Sequence, residues 1–162
     1  GKFERIVSVG AFEHFGKKFY KTFFKKMYDV MEENGICLLH TIGSVDPPGA
    51  VQPFVQKRIF PGGIVPSLSD LIAPIEKTGL IISDCETLIH HYDKTLKAWL
   101  DRFLQNKNKA KFLYNKEFVR MWECYLSMCS AAFKFRDLVV YQLQLVKNFT
   151  APPSNRRNYI YQ

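Results

Sequence analysis

Residues 3–42, FERIVSVGAFEHFGKKFYKTFFKKMYDVMEENGICLLHTI, decide the fold. They open with FERIVSV, 3–9, whose apolar end reads as a strand buried on both faces. The period then changes. Tyr20, Phe23, Phe24, Met27, Tyr28 and Met31 recur three and four apart, which makes one face of a helix over 17–33. Lys17, Lys21 and Lys25 lie on another face, and Asn34-Gly35 reads as the helix stop. ICLLHTI, 36–42, is a second buried strand. Strand, helix and strand with short links form a βαβ unit, so the two strands should be parallel.

Working outward, GSVDPPGAVQPF, 43–54, is rich in proline and glycine and should be irregular. IFPGGIVPSLSD, 59–70, holds a glycine turn and a helix start, with Ser67 as N-cap and Asp70 three residues later. The helix 68–78 contains Pro74 and stops at Gly79. LIISDCETLI, 80–89, and LVVYQLQLV, 138–146, are two more strands. Between them, Tyr92, Leu96, Trp99, Leu100, Phe103 and Leu104 mark one amphipathic helix. Phe118, Met121, Trp122, Tyr125, Leu126, Cys129, Ala132 and Phe133 mark another, and Lys107, Lys109 and Lys111 fall in a loop. The sum is an α/β fold, a mostly parallel sheet with helices on its faces and helical insertions.

The 162 residues suffice for one domain with a core, and 47% hydrophobic content argues against disorder. There is no run of about 18 apolar residues to span a membrane and no secretory leader, so a cytoplasmic location is expected. Cys37, Cys85, Cys124 and Cys129 form no CxxC pair, which fits a reducing compartment. His14, His40, His90 and His91 make no zinc pattern, and no metal site is expected. The net charge of +8 implies an anionic partner, whether nucleic acid, phospholipid surface or acidic protein. No nucleic-acid-binding signature accompanies it.

In open α/β sheets, ligands bind beyond the carboxyl ends of the strands. Residues 10–14 and 40–43 sit at two such ends, which singles out Glu13 and His40. Glu13 has a second reading, as a cap for the helix at 17. A doubly wound domain usually opens with a glycine-rich turn that cradles its cofactor. No GxGxG occurs in this sequence, so the chain reads as the second half of a nucleotide-binding domain.

Five blocks carry a resemblance: RIVSVGAFEHFGKKFYKTFF, GICLLHTIG, IFPGGIVPS, HYDKTLKAWLDRF and RMWECYLSMCSAAFKFRDLVVYQLQLVK. In this order they resemble the carboxyl-terminal part of cyclopropane-fatty-acyl-phospholipid synthases, a group that includes the mycolic acid cyclopropane synthases. The resemblance covers about residues 3–147. It implies the carboxyl-terminal half of a Rossmann-like S-adenosylmethionine-dependent methyltransferase. Residues 1–147 would form that part of the domain and 148–162 a loosely attached tail. The reaction implied is transfer of the sulfonium methyl group to a cis double bond of a phospholipid acyl chain. The resulting carbocation loses a proton from the new methyl group, and the ring closes. A bicarbonate ion is the family's expected base.

Position by position, the resemblance places the bicarbonate site on Glu13, His40, Ile42 (through its backbone) and Tyr125. Val9 and His14 match positions near the cofactor. A carbocation must be kept from water, and Phe12, Phe15, Phe60 and Tyr125 could supply an aromatic wall. One cysteine of the family's site has no counterpart, and Lys134 stands where many relatives carry arginine. The glycine-rich turn and the acid for the ribose belong to an amino-terminal half, expected in cis or in trans. Without it the chain should expose a strand edge and self-associate, with a homo-oligomer as one form. The implied partners are phospholipid acyl chains, reached by peripheral association with the inner face of the membrane, and not nucleic acid. Two alternatives are methylation that leaves a branched acyl chain, and a non-catalytic remnant or binding module.

Overall fold

The structure, a computed structural model, describes residues 1–152 and 157–160. In chain order the elements are β1 (Phe3–Val9), α1 (Tyr20–Val30), β2 (Met31–Ser44), α2 (Pro53–Arg58) and α3 (Leu68–Glu76). There follow β3 (Ile81–Leu88), α4 (His91–Gln105), α5 (Lys107–Leu113), α6 (Lys116–Phe135) and β4 (Leu138–Val146). The strands form one sheet in the order β1-β2-β4-β3. β1 and β2 are parallel, with Val7 opposite Leu38 and Val9 opposite His40. Contacts between β4 and β2 run in opposite senses: Tyr141 reaches Ser44, Gln142 reaches His40 and Asn148 reaches Glu33. The last strand therefore inserts antiparallel beside β2, in a mixed sheet.

The chain divides into two compact units, Gly1–Thr87 with Tyr141–Gln162, and Leu88–Val140. In the first, strand alternation sends Cys37, Leu39, Leu143 and Leu145 to one face. There they meet Phe24 of α1 and Leu71 and Ile75 of α3, all fully buried. In the second, α4 packs on α6, with Tyr92 and Phe133 ring centroids 4.9 Å apart and Leu96 and Leu126 buried.

Several boundaries depart from the sequence expectation. The first helix ends at Val30, so Asn34-Gly35 lies inside β2 and does not stop the helix. The register jumps there, from Phe3 opposite Met31 to Arg5 opposite Ile36. This irregularity accommodates Gly35, where a Cβ would lie 2.5 Å from Met31 Cγ. β1 is not buried on both faces. Ile6 packs on the core, but Phe3, Val7 and Val9 are exposed, because β1 ends the strand order and the core helices cover the other face. Lys107, Lys109 and Lys111 are helical, on α5, rather than in a loop. Part of the segment expected as a tail is anchored: Arg157 pairs with Asp84 at 2.7 Å, and Tyr159 donates to Gln144 at 3.0 Å. The rest of that expectation, at 153–156 and 161–162, lies outside the described residues.

The expected N-cap of α3 is present as a reciprocal capping box between Ser67 and Asp70. Asp70 also pairs with Lys17 at 2.9 Å, tying α3 to the approach to α1. Partial burial alone would raise the Asp70 pKa, but bonds from Lys17 and Ser67 outweigh it and hold the carboxyl below its usual range. A carboxyl held low in the folded state contributes stability above its unfolded pKa of about 3.9, and that contribution fades as pH falls through the folded value. Asp70→Asn is expected to cost roughly 1 kcal/mol at neutral pH and progressively less below about pH 4. Urea midpoints of both proteins across that range check this; a constant difference would contradict it.

Candidate active site

The site is built where β1 ends at Val9, opposite His40, and β2 runs on past it to Ser44. Beyond Val9, Gly10 takes a φ of +63°, open to glycine at little cost, and its N–H donates to His40 O at 3.1 Å. The chain then makes a tight turn over Phe12–His14. Phe12 is driven fully into the core, with ring centroids 4.3 Å from Tyr20, 5.0 Å from Phe23 and 5.5 Å from Phe24. That anchor fixes the next residue. Glu13 Oε1 accepts from the Ile42 N–H at 2.6 Å, and Glu13 O accepts from the Ile64 N–H at 2.8 Å. Residue 13 thus joins the end of β1, the end of β2 and the 59–67 segment.

The capping role is excluded. The residues at the N-cap positions of the following helical turns, Gly16 and Phe19, receive no side-chain cap, and the Glu13 carboxylate is turned toward residue 42 instead. Its second oxygen, Oε2, is buried with no hydrogen-bond partner among the described residues. A buried acceptor left open has its full desolvation cost unrepaid.

His40 lies half-buried on β2, one residue past buried Leu39. Gln142 Nε2 lies 3.1 Å from His40 Nδ1. An amide nitrogen only donates, so Nδ1 accepts and the neutral ring carries its hydrogen on Nε2. Beyond Ile42, Gly43 lets the Tyr141 ring lie directly on the backbone. A Cβ at Gly43 would come within 2.3 Å of that ring, and Tyr141 donates to Ser44 O at 2.9 Å.

Tyr20 escaped notice in the sequence, where it counted only as part of a helix face. It is 1% exposed, and its hydroxyl has no partner among the described residues. Burial first, then the negative charges of Asp70 and Glu13, push its pKa well above the ordinary range. The hydroxyl therefore stays protonated, a donor near the Glu13 carboxylate. No local pattern marked it. An i, i+3, i+4 aromatic looks the same whether its hydroxyl meets water or a carboxylate.

The remaining expected residues are placed as follows. Val9 ends β1 exposed, opposite His40. His14 is exposed, its ring 5.7 Å from that of Phe60. Of the expected aromatic wall, Phe12 belongs to the core, whereas Phe15 and Phe60 are partly exposed. Tyr125 belongs to the second unit, on α6. It is 8% exposed, its ring is 5.2 Å from Trp122, and burial first, then Cys129 and Tyr92, push its hydroxyl up to about 12. Burial likewise pushes the Cys37 and Cys129 thiols up to about 11, which disfavours a nucleophilic role. Among the described residues no group of three metal-ligating side chains occurs.

An antiparallel last strand beside the parallel β1–β2 pair is the sheet arrangement of half a Rossmann-like domain, and its solved neighbours are methyltransferases. The solved structures agree. Cyclopropane synthase MmaA2 from Mycobacterium tuberculosis superposes with a TM-score of 0.82 at 29% identity, over 89% of this chain and 55% of that one. Mycolic acid cyclopropane synthase CmaA1, complexed with SAH and CTAB, gives 0.81 at 31% identity, over the same shares. The mycolic acid cyclopropane synthetase family matches residues 1–143, and the chain belongs to that family. The cyclopropane-fatty-acyl-phospholipid synthase of Escherichia coli (strain K12) is 40% identical over 142 residues, which is 88% of this chain and 37% of that protein. The chain thus spans between about a third and about half of the length of these relatives.

Glu13→Ala strips a partly buried N–H of its acceptor and is expected to destabilise the fold by about 1–3 kcal/mol. Glu13→Gln keeps an acceptor oxygen and should cost clearly less. Chemical denaturation of the two variants measures the difference; equal losses would remove the Glu13–Ile42 bond as the cause.

Proposed function

We propose that this chain is the carboxyl-terminal part of an enzyme that transfers a methylene group from S-adenosylmethionine to a cis double bond of an unsaturated phospholipid acyl chain. The observation that carries the proposal is the Glu13 carboxylate. One oxygen is satisfied by Ile42 N–H, and the other is buried and open. An open, buried acceptor suits a small guest with a hydrogen to give, and the O–H of bicarbonate fits that requirement. When bound, bicarbonate would supply a base for the proton that leaves the new methyl group.

Glu13 would orient the guest through Oε2. His40, with Nδ1 held by Gln142, presents Nε2–H as a fixed donor. The Tyr125 hydroxyl, kept protonated by burial, is the donor expected from α6. Ile42 N–H, expected to serve the guest directly, instead donates to Glu13 and would act by holding that carboxylate. Val9 and His14 are the residues proposed nearest S-adenosylmethionine. Phe15 and Phe60 would help to keep water from a developing carbocation.

The rest of the enzyme, in cis or in trans, is proposed to pair with β1 and cover its second face. Support comes from the place of β1 at the end of the strand order and from exposed Val7 and Val9. No described helix is long and apolar enough to cross a membrane. Access to lipid is proposed to be peripheral, aided by the +8 charge.

In the complete enzyme, Glu13→Gln is expected to lower kcat roughly 100-fold or more, with KM for S-adenosylmethionine nearly unchanged. The amide keeps the shape but cannot accept at both positions. Near-normal turnover would return Glu13 to a structural role. Calorimetry on the 162-residue chain is expected to find no tight binding of S-adenosylmethionine, and micromolar affinity would contradict the need for the remaining part.

A further inference from the structure

The helical unit Leu88–Val140 carries a surface that the reaction site does not use. At the end of α5, three consecutive apolar side chains are exposed: Phe112 is 88% exposed, Leu113 63% and Tyr114 66%. Single exposed apolar residues are ordinary on protein surfaces, but an adjacent run is not. The stretch 102–120 that contains this run holds six basic residues, Arg102, Lys107, Lys109, Lys111, Lys116 and Arg120, against one acid, Glu117. Lys107 is paired with Glu123 at 2.6 Å. Lys109, Lys111 and Lys116 are exposed and make no ion pair among the described residues. Beside the tip opens a groove of about 310 Å³, with Phe103, Leu113, Phe118 and Trp122 along it and Lys109 on it.

We infer that the α5 tip and its groove form the docking surface for an anionic phospholipid bilayer. The inference rests on the reading above that the substrate is a phospholipid acyl chain, and it names where the protein meets that lipid. Charge complementarity selects the occupant. Lysines flanking exposed aromatic and leucine side chains suit the headgroup boundary, where ammonium groups meet phosphates and rings sit among the upper acyl carbons. The groove offers an apolar wall to an acyl segment while Lys109 stays at the phosphate level. A nucleic acid suits the surface less well. Tyr114 stacks on Phe118 at 4.3 Å and Phe118 lies 5.8 Å from Trp122, so these rings face one another rather than standing spaced to receive successive bases.

The test is vesicle partition of the chain, using phosphatidylcholine alone and phosphatidylcholine doped with phosphatidylglycerol. Binding to doped vesicles is expected, weakening with salt and accompanied by a blue shift of tryptophan emission. Trp99 and Trp122 are the only tryptophans, and both lie in this unit. The K109E/K111E variant is expected to bind roughly 30-fold more weakly, the scale of two membrane-facing lysines. Phe112→Ser should lose about 10-fold. Both variants change exposed side chains, and unchanged circular dichroism checks their folding. Parent-like partition by both folded variants overturns the inference. So does failure of the parent to bind doped vesicles, including the case in which it binds a nucleic acid or an acidic protein instead.

A second arm separates this surface from the reaction. In the complete enzyme, the variants should lose activity on vesicles but keep it on the same phospholipid dispersed in detergent. Equal loss in both presentations overturns the docking role. Absence of activity on any lipid, with vesicle binding still dependent on Lys109, Lys111 and Phe112, sinks the substrate reading and supports the docking surface.

Discussion

The hydrogen bond from Ile42 N–H to the Glu13 carboxylate is the interaction on which the site depends. A strand that runs on past the end of its parallel neighbour leaves backbone groups unpaired just beyond the ladder. In this sheet Gly10 N–H takes the His40 carbonyl, and the Glu13 side chain takes the next free N–H along β2. An acid that caps a neighbouring helix would be fixed to its own local segment. This one is fixed to a residue 29 positions away, with a second oxygen buried and available. The energy of the first contact orients the second.

That contact is possible because Phe12 is immobilised. The turn between β1 and α1 is short, and its only fully buried side chain is packed among Tyr20, Phe23 and Phe24. With the core holding residue 12, the following carboxylate has little freedom to swing into solvent. The same packing brings the Tyr20 hydroxyl under the influence of Glu13 and Asp70. One aromatic cluster therefore serves the core on one side and holds the Tyr20 hydroxyl near two carboxylates on the other. Asp70 extends this arrangement, because its capping box and its ion pair with Lys17 tie the start of α3 to the turn region.

The helical unit follows a different logic. Its apolar stripes close on one another through Tyr92, Leu96, Leu126 and Phe133, and the side chains of the α5 tip stay largely exposed. A solvent-facing surface of that composition has a cost in water that a lipid boundary would relieve. The division of labour is chemical. Rigid strand ends hold the polar site, and a short helix between two longer ones holds apolar side chains and lysines outward.

The order of the elements can be read from the residues alone, because periods of 2 and 3.6 are local properties. The βαβ opening, the Ser67 capping box, the stop at Gly79 and the two long helices were all legible in it. Glu13 and His40 were legible too, as polar residues at the ends of apolar strands, and the five matching blocks added Ile42 and Tyr125. Exposure was not. The apolar run 3–9 reads as buried from its own composition, yet β1 lies at the end of the sheet, and position in a sheet is set by pairings between distant segments. Asn34-Gly35 reads as a helix stop from composition, and only the register irregularity against β1 places it inside a strand. Lys107–Lys111 read as loop from charge alone, whereas α5 forms between two longer helices, with Lys107 tied to Glu123 of α6. The role of Tyr20, and the choice of Glu13 between cap and site, waited on tertiary structure for one physical reason. A hydrogen bond or a desolvated hydroxyl belongs to a pair of groups brought together by the fold, and no stretch of sequence contains both.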